Sequence, residues 1–298
     1  MHRLIKISQI CSELKLHFEG DDIEISGLNL CNRNSKHNKI LTYVTNEDYV
    51  ETIQNNMAVV GIVLATECLD AYRRLKENRK ITFVISDNPE DVFYNIHDYL
   101  YYHTDFYEKY SFPSEIGEDC DIHPSAIIEE GVIIGKNVTI GANTVVRRGT
   151  VIKDNCIIGC NTTIGSEGFQ IIRAQGRNRK IVHCGGVAIQ DNVFIGDNVT
   201  VCNSMFEDTA CIGSNAMIDN LVHVGHNVQI GEGAVITAGT ILCGSAAVER
   251  GAWIGVNSSV LNRVTVGENA KVGIGSVVTR NIPRDTLAYG VPAKVKNC

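Results

Sequence analysis

The sequence predicts a mainly β fold in which a small α/β or α+β domain precedes a parallel β-helix of hexapeptide repeats. Two observations carry this prediction. An aliphatic residue recurs at every sixth position over nearly all of residues 116–280, whereas residues 1–112 alternate strand-like with helix-like segments. With 298 residues, 44% hydrophobic and 20% charged, the chain is long and apolar enough for two ordered domains.

The first domain is predicted over residues 1–112, because strands and helices alternate there. Pro89 opens the last helix, at a position where its missing N–H is not needed. Phe112 and Pro113 mark the boundary with the next domain. The predicted strands are 16–18, 23–30, 40–44, 57–65 and 81–85, and the predicted helices are 8–15, 47–55, 68–76 and 90–102.

The second domain, the β-helix, is predicted over residues 113–282, and a short tail follows over residues 283–298. Each repeat is predicted to be a short strand and a tight corner, where Gly, Asn or Asp adopts a positive φ. Three repeats make one triangular coil of 18 residues, and stacked coils pair their backbones. The periodic residues include Ile116, Ile122, Ile128, Ile134, Ile140, Val146, Ile152, Ile158, Ile164, Ile189, Ile195, Val201, Ile212, Ile218, Val224, Ile230, Ile236, Leu242, Val248, Ile254, Val260, Val266, Val272 and Val278.

Two slips interrupt the six-residue period and cancel each other. The spacing from Ile164 to Ile189 is one residue longer than four repeats, and that from Val201 to Ile212 is one residue shorter than two. The first slip is polar and lacks the periodic aliphatic residues, so residues 166–185 are predicted to leave the coil as an excursion loop. Surface loops on a rigid scaffold often carry function, and a tolerated insertion is the alternative.

Composition and charge argue against several classes of protein. The formal net charge is −7 and the basic residues occur singly, which disfavours a protein that binds nucleic acid phosphates. The longest apolar stretch, residues 57–65, is far short of the ~20 residues that span a bilayer. Charged residues interrupt every apolar run near the N-terminus. We therefore expect no transmembrane segment, no signal peptide and a cytoplasmic protein.

The cysteines favour free thiols. They number 11, an odd count, and are scattered through a long chain, which is not typical of a disulfide scaffold. The closest pair, Cys156 and Cys160, lies within the hexapeptide repeat. Structural zinc needs four convergent ligands, so we expect no metal site at this pair.

Residues 218–228, Ile-Asp-Asn-Leu-Val-His-Val-Gly-His-Asn-Val, resemble the signature of UDP-3-O-acylglucosamine N-acyltransferases, a hexapeptide-repeat family of lipid A and lipopolysaccharide biosynthesis. Residues 164–169, 180–181 and 185–187 are similar to the same family, and residues 41–49 resemble its uridine-binding segment. The resemblance extends from about residue 3 to residue 295. It implies a left-handed β-helix, a homotrimer, and transfer of an acyl group, in this family a 3-hydroxyacyl group, from a thioester to the amine of a nucleotide-activated amino sugar.

The resemblance also implies roles for individual residues. His226 matches the general base of the family, and a histidine suits this role because its pKa lies near the working pH. Gly244, one coil further on, matches the glycine whose N–H stabilises the tetrahedral oxyanion. The alternatives are a polar corner histidine without chemistry and an ordinary turn glycine.

Six further residues are expected to bind substrate. In the first domain, Tyr43 and Tyr49 match the aromatic residues that stack on uracil, and Asn46 matches a polar contact between them. In the β-helix, the resemblance implies substrate contacts by three residues of the signature segment, Asn220, His223 and Asn227. No cofactor is expected; the thioester of acyl carrier protein phosphopantetheine or of coenzyme A is a co-substrate.

The sequence departs from the family in places. The family has an Asp-Arg-Gly run in the coil before the base, where this chain has residues 201–206, Val-Cys-Asn-Ser-Met-Phe. A second family histidine has no counterpart, and Arg263 lies in that neighbourhood. Three residues follow Val295 in this sequence, so we expect the protein to lack the C-terminal helices that are common in the family. These departures leave open a short-chain acyl-CoA-dependent N-acyltransferase on another UDP- or dTDP-amino sugar of a surface polysaccharide.

Two non-acyltransferase hypotheses also remain. A non-catalytic nucleotide-sugar-binding or trimeric scaffold protein would retain nucleotide binding without turnover. A metal site is the other, since trimeric β-helix carbonic anhydrases bind zinc through histidines at subunit interfaces, and His223 and His226 lie close in sequence. The sequence shows no third convergent ligand for such a site.

Overall fold

The computed structural model describes residues 3–33, 35–77, 79–174 and 176–296. The chain divides into two compact units. The first comprises residues 1–109 and 170–184, and the second comprises residues 110–169 and 185–298. Among the described residues, no helix combines the length and the apolar character needed to cross a membrane.

A five-stranded sheet forms the centre of the first unit. The elements are β1 Ile5–Lys6, α1 Ile7–Leu14, β2 His17–Glu19, β3 Glu24–Ile25, β4 Gly27–Leu28, β5 Ile40–Tyr43, a 3-10 helix Glu47–Tyr49, α2 Val50–Asn55, β6 Val59–Leu64, a 3-10 helix Thr66–Cys68, α3 Leu69–Arg73, a 3-10 helix Arg74–Glu77, β7 Thr82–Ile85 and α4 Pro89–His103. Among the described residues the strand order of the sheet is β2-β7-β6-β5-β4; β2 is antiparallel to β7 and the other pairs are parallel. The strands β1 and β3 form a separate, short antiparallel pair.

The alternation of strands and helices predicted for this region is observed, with one strand divided. The predicted strand 23–30 is two strands, because the chain changes partners at Ser26: β3 pairs with β1, whereas β4 pairs with β5. The Ser26 N–H donates to Lys39 O, 2.8 Å away, at this change. The predicted start of the last helix is confirmed, since Asn88 accepts from the Asp91 N–H and Pro89 occupies the first turn.

The predicted excursion loop is a β-hairpin that belongs to the first unit. Ile171–Ala174 pairs antiparallel with Arg177–Lys180. Arg179 holds the hairpin to α4, because its guanidinium donates to Asp98 Oδ2 at 2.6 Å and to Asp91 Oδ1 at 3.3 Å. The observed first unit therefore combines residues 1–109 with residues 170–184, whereas the predicted domain was a single segment.

A buried histidine, His97, is expected to make the stability of the first unit depend on pH. His97 Nδ1 accepts from the Tyr107 hydroxyl at 2.8 Å, and its Nε2–H donates to Val182 O at 2.9 Å. Burial lowers the pKa of His97 to about 4, against about 6.5 in an unfolded chain. The unfolded chain thus binds the proton more tightly. The stabilisation by neutral His97 is complete above pH 6.5 and is lost as the pH falls towards 4.

We expect His97 to lower the free energy of unfolding of the first unit by about 3 kcal/mol between pH 7 and pH 4. Urea unfolding followed by tyrosine circular dichroism measures this, since eight of the ten tyrosines lie in the first unit and the single tryptophan, Trp253, lies in the second. His97→Gln removes the titration and should flatten the pH dependence. An equally steep dependence in the variant would contradict this account.

The second unit is a parallel β-helix with three faces. Each face repeats after 18 residues, and equivalent strands of successive coils pair in parallel. The first face contains Glu115–Ile116, Ile133–Ile134, Thr150–Ile152, Gly186–Ile189, Thr209–Ile212, Gln229–Ile230, Ala247–Val248 and Thr265–Val266. The second contains Asp121–Ile122, Thr139–Ile140, Ile157–Ile158, Phe194–Ile195, Met217–Ile218, Val235–Ile236, Trp253–Ile254, Lys271–Val272, Leu287–Tyr289 and Lys294–Lys296. The third contains Ile127–Ile128, Val145–Val146, Thr163–Ser166, Thr200–Cys202, His223–Val224, Ile241–Leu242, Ser259–Val260 and Val277–Val278.

The predicted periodic residues fill the interior of the β-helix. From Ile134 to Val278 they are buried and form one continuous core, whereas Ile116, in the first coil, is 50% exposed. The predicted tail also belongs to this unit. Leu287–Tyr289 continues the second face, and Lys294–Lys296 pairs with it in the antiparallel direction.

The glycines that directly follow the periodic residues are required for a different reason from the predicted positive φ. Of the described glycines that directly follow a periodic residue, only Gly165 has a positive φ, so the prediction is wrong for most of them. Coils approach too closely there for a side chain: a Cβ on Gly213 would lie 2.7 Å from Glu232 N. The positive φ falls two residues later, mainly at asparagines, as we predicted for that residue type. These asparagines are Asn137, Asn143, Asn155, Asn161, Asn192, Asn198, Asn215, Asn227, Asn257 and Asn269.

Candidate active site

His226 lies at a corner of the β-helix, between a strand of the third face and a strand of the first face. His223–Val224 ends just before the corner, and Gln229–Ile230 begins after it. Val224 is buried in the core, which fixes the strand, and Asn227 turns the chain with a φ of 59°. His226 is half-buried. The corner thus presents an imidazole from a rigid backbone.

A short hydrogen-bonded chain holds the imidazole. His226 Nδ1 lies 2.9 Å from Asn227 Oδ1. The same Oδ1 accepts from the Met205 N–H at 3.0 Å, and Asn227 Nδ2 donates to Asp208 Oδ2 at 3.3 Å. Met205 and Asp208 both belong to the shortened coil of the second register slip. The shortened coil therefore supplies the two residues that hold the amide of Asn227 next to His226.

Gly244 is the neighbour of His226 in the next coil. The Ser245 N–H donates to His226 O at 2.7 Å, so the two corners are stacked. A Cβ on Gly244 would lie 2.7 Å from His226 Cε1 and closer still to Nε2. Within the part of the chain that the structure describes, the Gly244 N–H donates to no protein acceptor. The imidazole of His226 and an N–H donor without a protein acceptor among the described residues are thus adjacent, and their catalytic roles stay predictions.

The segments that carried the family resemblance in the β-helix meet near this corner. Asn203 connects them: its N–H donates to Ser166 O at 2.8 Å, its Nδ2 donates to Gly185 O at 3.3 Å, and its Oδ1 accepts from the Gly168 N–H at 3.4 Å. Asn203 stands within the segment that replaces the Asp-Arg-Gly run of the family. It ties both ends of the excursion to the coil that supports His226.

The other two predicted residues of the signature segment have different surroundings. Asn220 Oδ1 accepts from the Asp197 N–H at 2.6 Å, so this side chain caps a corner of the preceding coil. His223 points outwards from the third face between Thr200 and Ile241, and burial lowers its pKa. Substrate binding by either residue stays a prediction, and the side chain of Asn220 is already occupied by a structural contact.

The predicted uridine-binding residues extend from the last residue of β5, Tyr43, to the end of the 3-10 helix that follows it, Tyr49. Tyr43 is half-buried against Phe93, with ring centroids 5.0 Å apart, and its hydroxyl donates to Glu90 at 2.9 Å. Burial raises the pKa of Tyr43 well above its ordinary value. Asn46 caps the helix that follows by accepting from the Asp48 N–H, and Tyr49 packs against the core. The segment stands at the carboxyl end of a parallel strand, where ligands bind in open α/β sheets.

Among the described residues, no group of three or more His, Cys, Asp or Glu side chains is arranged to hold a metal ion. Cys156 is buried, and its thiol donates to Gln190 O at 3.0 Å. Cys160 is half-buried, and both thiols are free.

The sequence prediction did not include Asp208, Met205 or Asn203. Their contacts depend on where the shortened coil places its residues, and the six-residue period does not extend through that coil. The one signal in the sequence is the second register slip itself, because an irregular coil next to a candidate base indicates a local departure from the repeat.

The family model "Bacterial transferase hexapeptide (six repeats)" matches residues 113–148, 131–166 and 212–244, and "Hexapeptide repeat of succinyl-transferase" matches residues 246–280. A UDP-3-O-acylglucosamine N-acyltransferase from Campylobacter lari is 37% identical over 261 residues, covering 81% of this chain and 78% of that protein. The chain belongs to the UDP-3-O-acylglucosamine N-acyltransferase family. The resemblance predicted from the sequence is confirmed, and with it membership of a family of acyltransferases.

Other relatives match a shorter part. The UDP-3-O-acylglucosamine N-acyltransferase from Methylococcus capsulatus is 42% identical over 83 residues, 28% of this chain, and the match spans only 23% of that relative. Among solved structures, a UDP-N-acetylglucosamine acyltransferase from Campylobacter jejuni has a TM-score of 0.56 at 22% identity, covering 62% of this chain and 70% of that one. This likeness concerns the fold, and the predicted left-handed β-helix of hexapeptide repeats is confirmed.

Proposed function

We propose that this protein is an N-acyltransferase that moves an acyl group, of the 3-hydroxyacyl type, from a carrier thioester to the amine of a nucleotide-activated amino sugar, as in the N-acylation of UDP-3-O-acylglucosamine. One observation carries the proposal: the imidazole of His226 lies against Gly244, whose N–H has no protein acceptor among the described residues. The names of the relatives support the class of acceptor.

The geometry suits amide formation. The sugar amine attacks the thioester carbonyl carbon, and His226 Nε2 takes the proton that the amine loses. The carbonyl oxygen becomes an oxyanion, which the Gly244 N–H stabilises because a fixed donor needs no reorganisation. The C–S bond then breaks, and the imidazolium returns the proton to the departing thiolate. The products are an amide and a free thiol, and no step requires a metal or a redox cofactor.

The first unit supplies the nucleotide site in this proposal. Tyr43 and Tyr49 are the aromatic surface for uracil, and Asn46 is the polar contact. Both rings are half-buried, so each already has a fixed orientation before a base arrives. The carboxyl end of β5 is the place where a ligand of an α/β unit is expected.

We also propose that the protein is a homotrimer, as the family resemblance implies. An apolar ladder on the second face of the β-helix supports self-association. Its outward side chains stack in register from coil to coil, and four of them are between 39% and 50% exposed. Exposed apolar side chains in a continuous row mark an interaction surface. The ladder consists of Ile157, Phe194, Met217, Val235 and Trp253.

The double variant Met217→Glu with Trp253→Glu should dissociate the trimer, because burial of two unpaired carboxylates in an apolar interface is strongly unfavourable. Light scattering after size exclusion should give about three times the chain mass of 32.6 kDa for the parent and the single mass for the variant. Thr209→Glu with Gln229→Glu, at two exposed positions of the first face, is the matched double control and should remain trimeric. A variant that is still trimeric would place the interface elsewhere.

The test of the activity is mass-spectrometric detection of acylated product from a matrix of donors and acceptors. The donors are 3-hydroxyacyl carrier protein and short acyl-coenzyme A; the acceptors are UDP- and dTDP-amino sugars. Product from the carrier-protein donor with a UDP-glucosamine acceptor supports the proposal. Product from acyl-coenzyme A alone would instead support the short-chain enzyme of polysaccharide synthesis. Nucleotide binding without any product would indicate a non-catalytic protein.

A further inference from the structure

The hydrogen bonds around Asn227 determine which nitrogen of His226 carries the proton. A backbone N–H such as that of Met205 needs an acceptor, and the carboxylate of Asp208 needs a donor. These two partners on opposite sides of the amide place its oxygen, Oδ1, towards Met205 and its nitrogen towards Asp208. The orientation of the amide therefore does not depend on His226.

The fixed amide of Asn227 determines the protonation of the imidazole nitrogen that faces it. Asn227 Oδ1 is an acceptor, so the His226 Nδ1 that faces it at 2.9 Å has to be the protonated nitrogen. In neutral imidazole the other nitrogen, Nε2, is then the proton acceptor, and Nε2 is the atom that lies against Gly244. The oxygen of Asn227 therefore favours the Nδ1–H tautomer of His226.

We infer that Asn227 and Asp208 are positioning residues that hold His226 as its Nδ1–H tautomer with Nε2 directed at the reacting amine. Asn227, predicted above to contact substrate, acts through His226 instead. Asp208 acts one step further away, by holding the amide nitrogen of Asn227. The kinetic consequence rests on the proposed function, whereas the tautomer is a property of the protein alone.

The corners of the β-helix provide a matched pair of variants. Asn227→Gly keeps the left-handed backbone at φ 59° without cost, because glycine adopts it freely, and removes only the amide. Asn215→Gly makes the same change at a corner with φ 60° that is outside the site. Asp208→Asn keeps an oxygen that accepts from Asn227, and Asp208→Ala does not.

The experiment measures the imidazole ¹⁵N signals of histidine-labelled full-length protein, with His226→Gln to assign His226, and the kcat and KM of each variant. We expect the Nδ1–H tautomer in the parent and in Asn215→Gly, and a shift towards Nε2–H in Asn227→Gly. We also expect kcat to fall about 10-fold to 100-fold in Asn227→Gly with KM little changed. Asp208→Ala should show a smaller shift of the tautomer and a smaller loss of kcat, and Asp208→Asn should keep the tautomer and the kcat of the parent.

Several results would overturn the inference. They are a parent His226 in the Nε2–H form, an unchanged tautomer in Asn227→Gly, or an equal loss of kcat in Asn215→Gly. If the parent forms no product with any donor, the proposed function fails, and the ¹⁵N signals still decide the tautomer. A change of KM alone in Asn227→Gly would return this residue to the substrate-binding role.

Discussion

His226→Ala is expected to lower kcat by roughly 100-fold to 10,000-fold, the range that a positioned general base contributes. The variant removes the acceptor at Nε2, while the fold has little reason to change, since His226 is a half-buried corner residue outside the continuous core. Steady-state turnover with the acceptor sugar at saturation measures the effect. Added imidazole should restore part of the lost rate, because a small base can occupy the space that the side chain leaves.

His123→Ala is the matched control for this prediction. His123 is an exposed histidine of the same β-helix whose ring bonds Ser125, at 2.9 Å, far from the corner of His226 in the chain. Its turnover should equal that of the parent. If His226→Ala keeps kcat within about threefold of the parent, the assignment of the base is wrong.

The period of six residues was sufficient to predict the β-helix, because every repeat has to place an aliphatic side chain in the same continuous core. It did not predict the role of the corner glycines. The close approach of Gly213 to the backbone of Glu232 exists only after the coils stack, and nothing local in the sequence reports it. The period also did not predict the β-hairpin, since the contact of Arg179 with Asp91 joins two segments that are distant in the sequence and outside the repeat.

In the candidate site too, the repeat predicts some neighbours and not others. His226 and Gly244 are one coil apart, so the repeat itself predicts that they stack, and the structure places them together. Their catalytic roles stay predictions. Asn227 was predicted to bind substrate because it lies in the signature segment, but its amide is engaged by Met205 and Asp208. Those partners come from the coil that breaks the period, where spacing carries no information about neighbours.

Gly244→Ala is expected to lower kcat by roughly 100-fold to 1,000-fold, comparable to the loss of an oxyanion-hole donor. The N–H remains, but the new methyl group would stand 2.7 Å from His226 Cε1 and closer to Nε2. The imidazole has to swing away, and its bond to Asn227 is lost with it. The substitution therefore disturbs the base and the oxyanion site at once, because the two share the space between neighbouring coils.

The clash with His226 gives this prediction a sharper test than activity alone. Gly244→Ala should destabilise the parent, but it should cost much less in the His226→Ala background, where the methyl group finds room. Gly213→Ala crowds the backbone of Glu232 at another corner, so its cost should be the same in both backgrounds. Unfolding in urea, followed by Trp253 fluorescence, provides the four free energies for each cycle. Equal costs of Gly244→Ala in the two backgrounds would mean that the methyl group does not meet the imidazole, and the predicted pairing of base and oxyanion donor would lose its geometric basis.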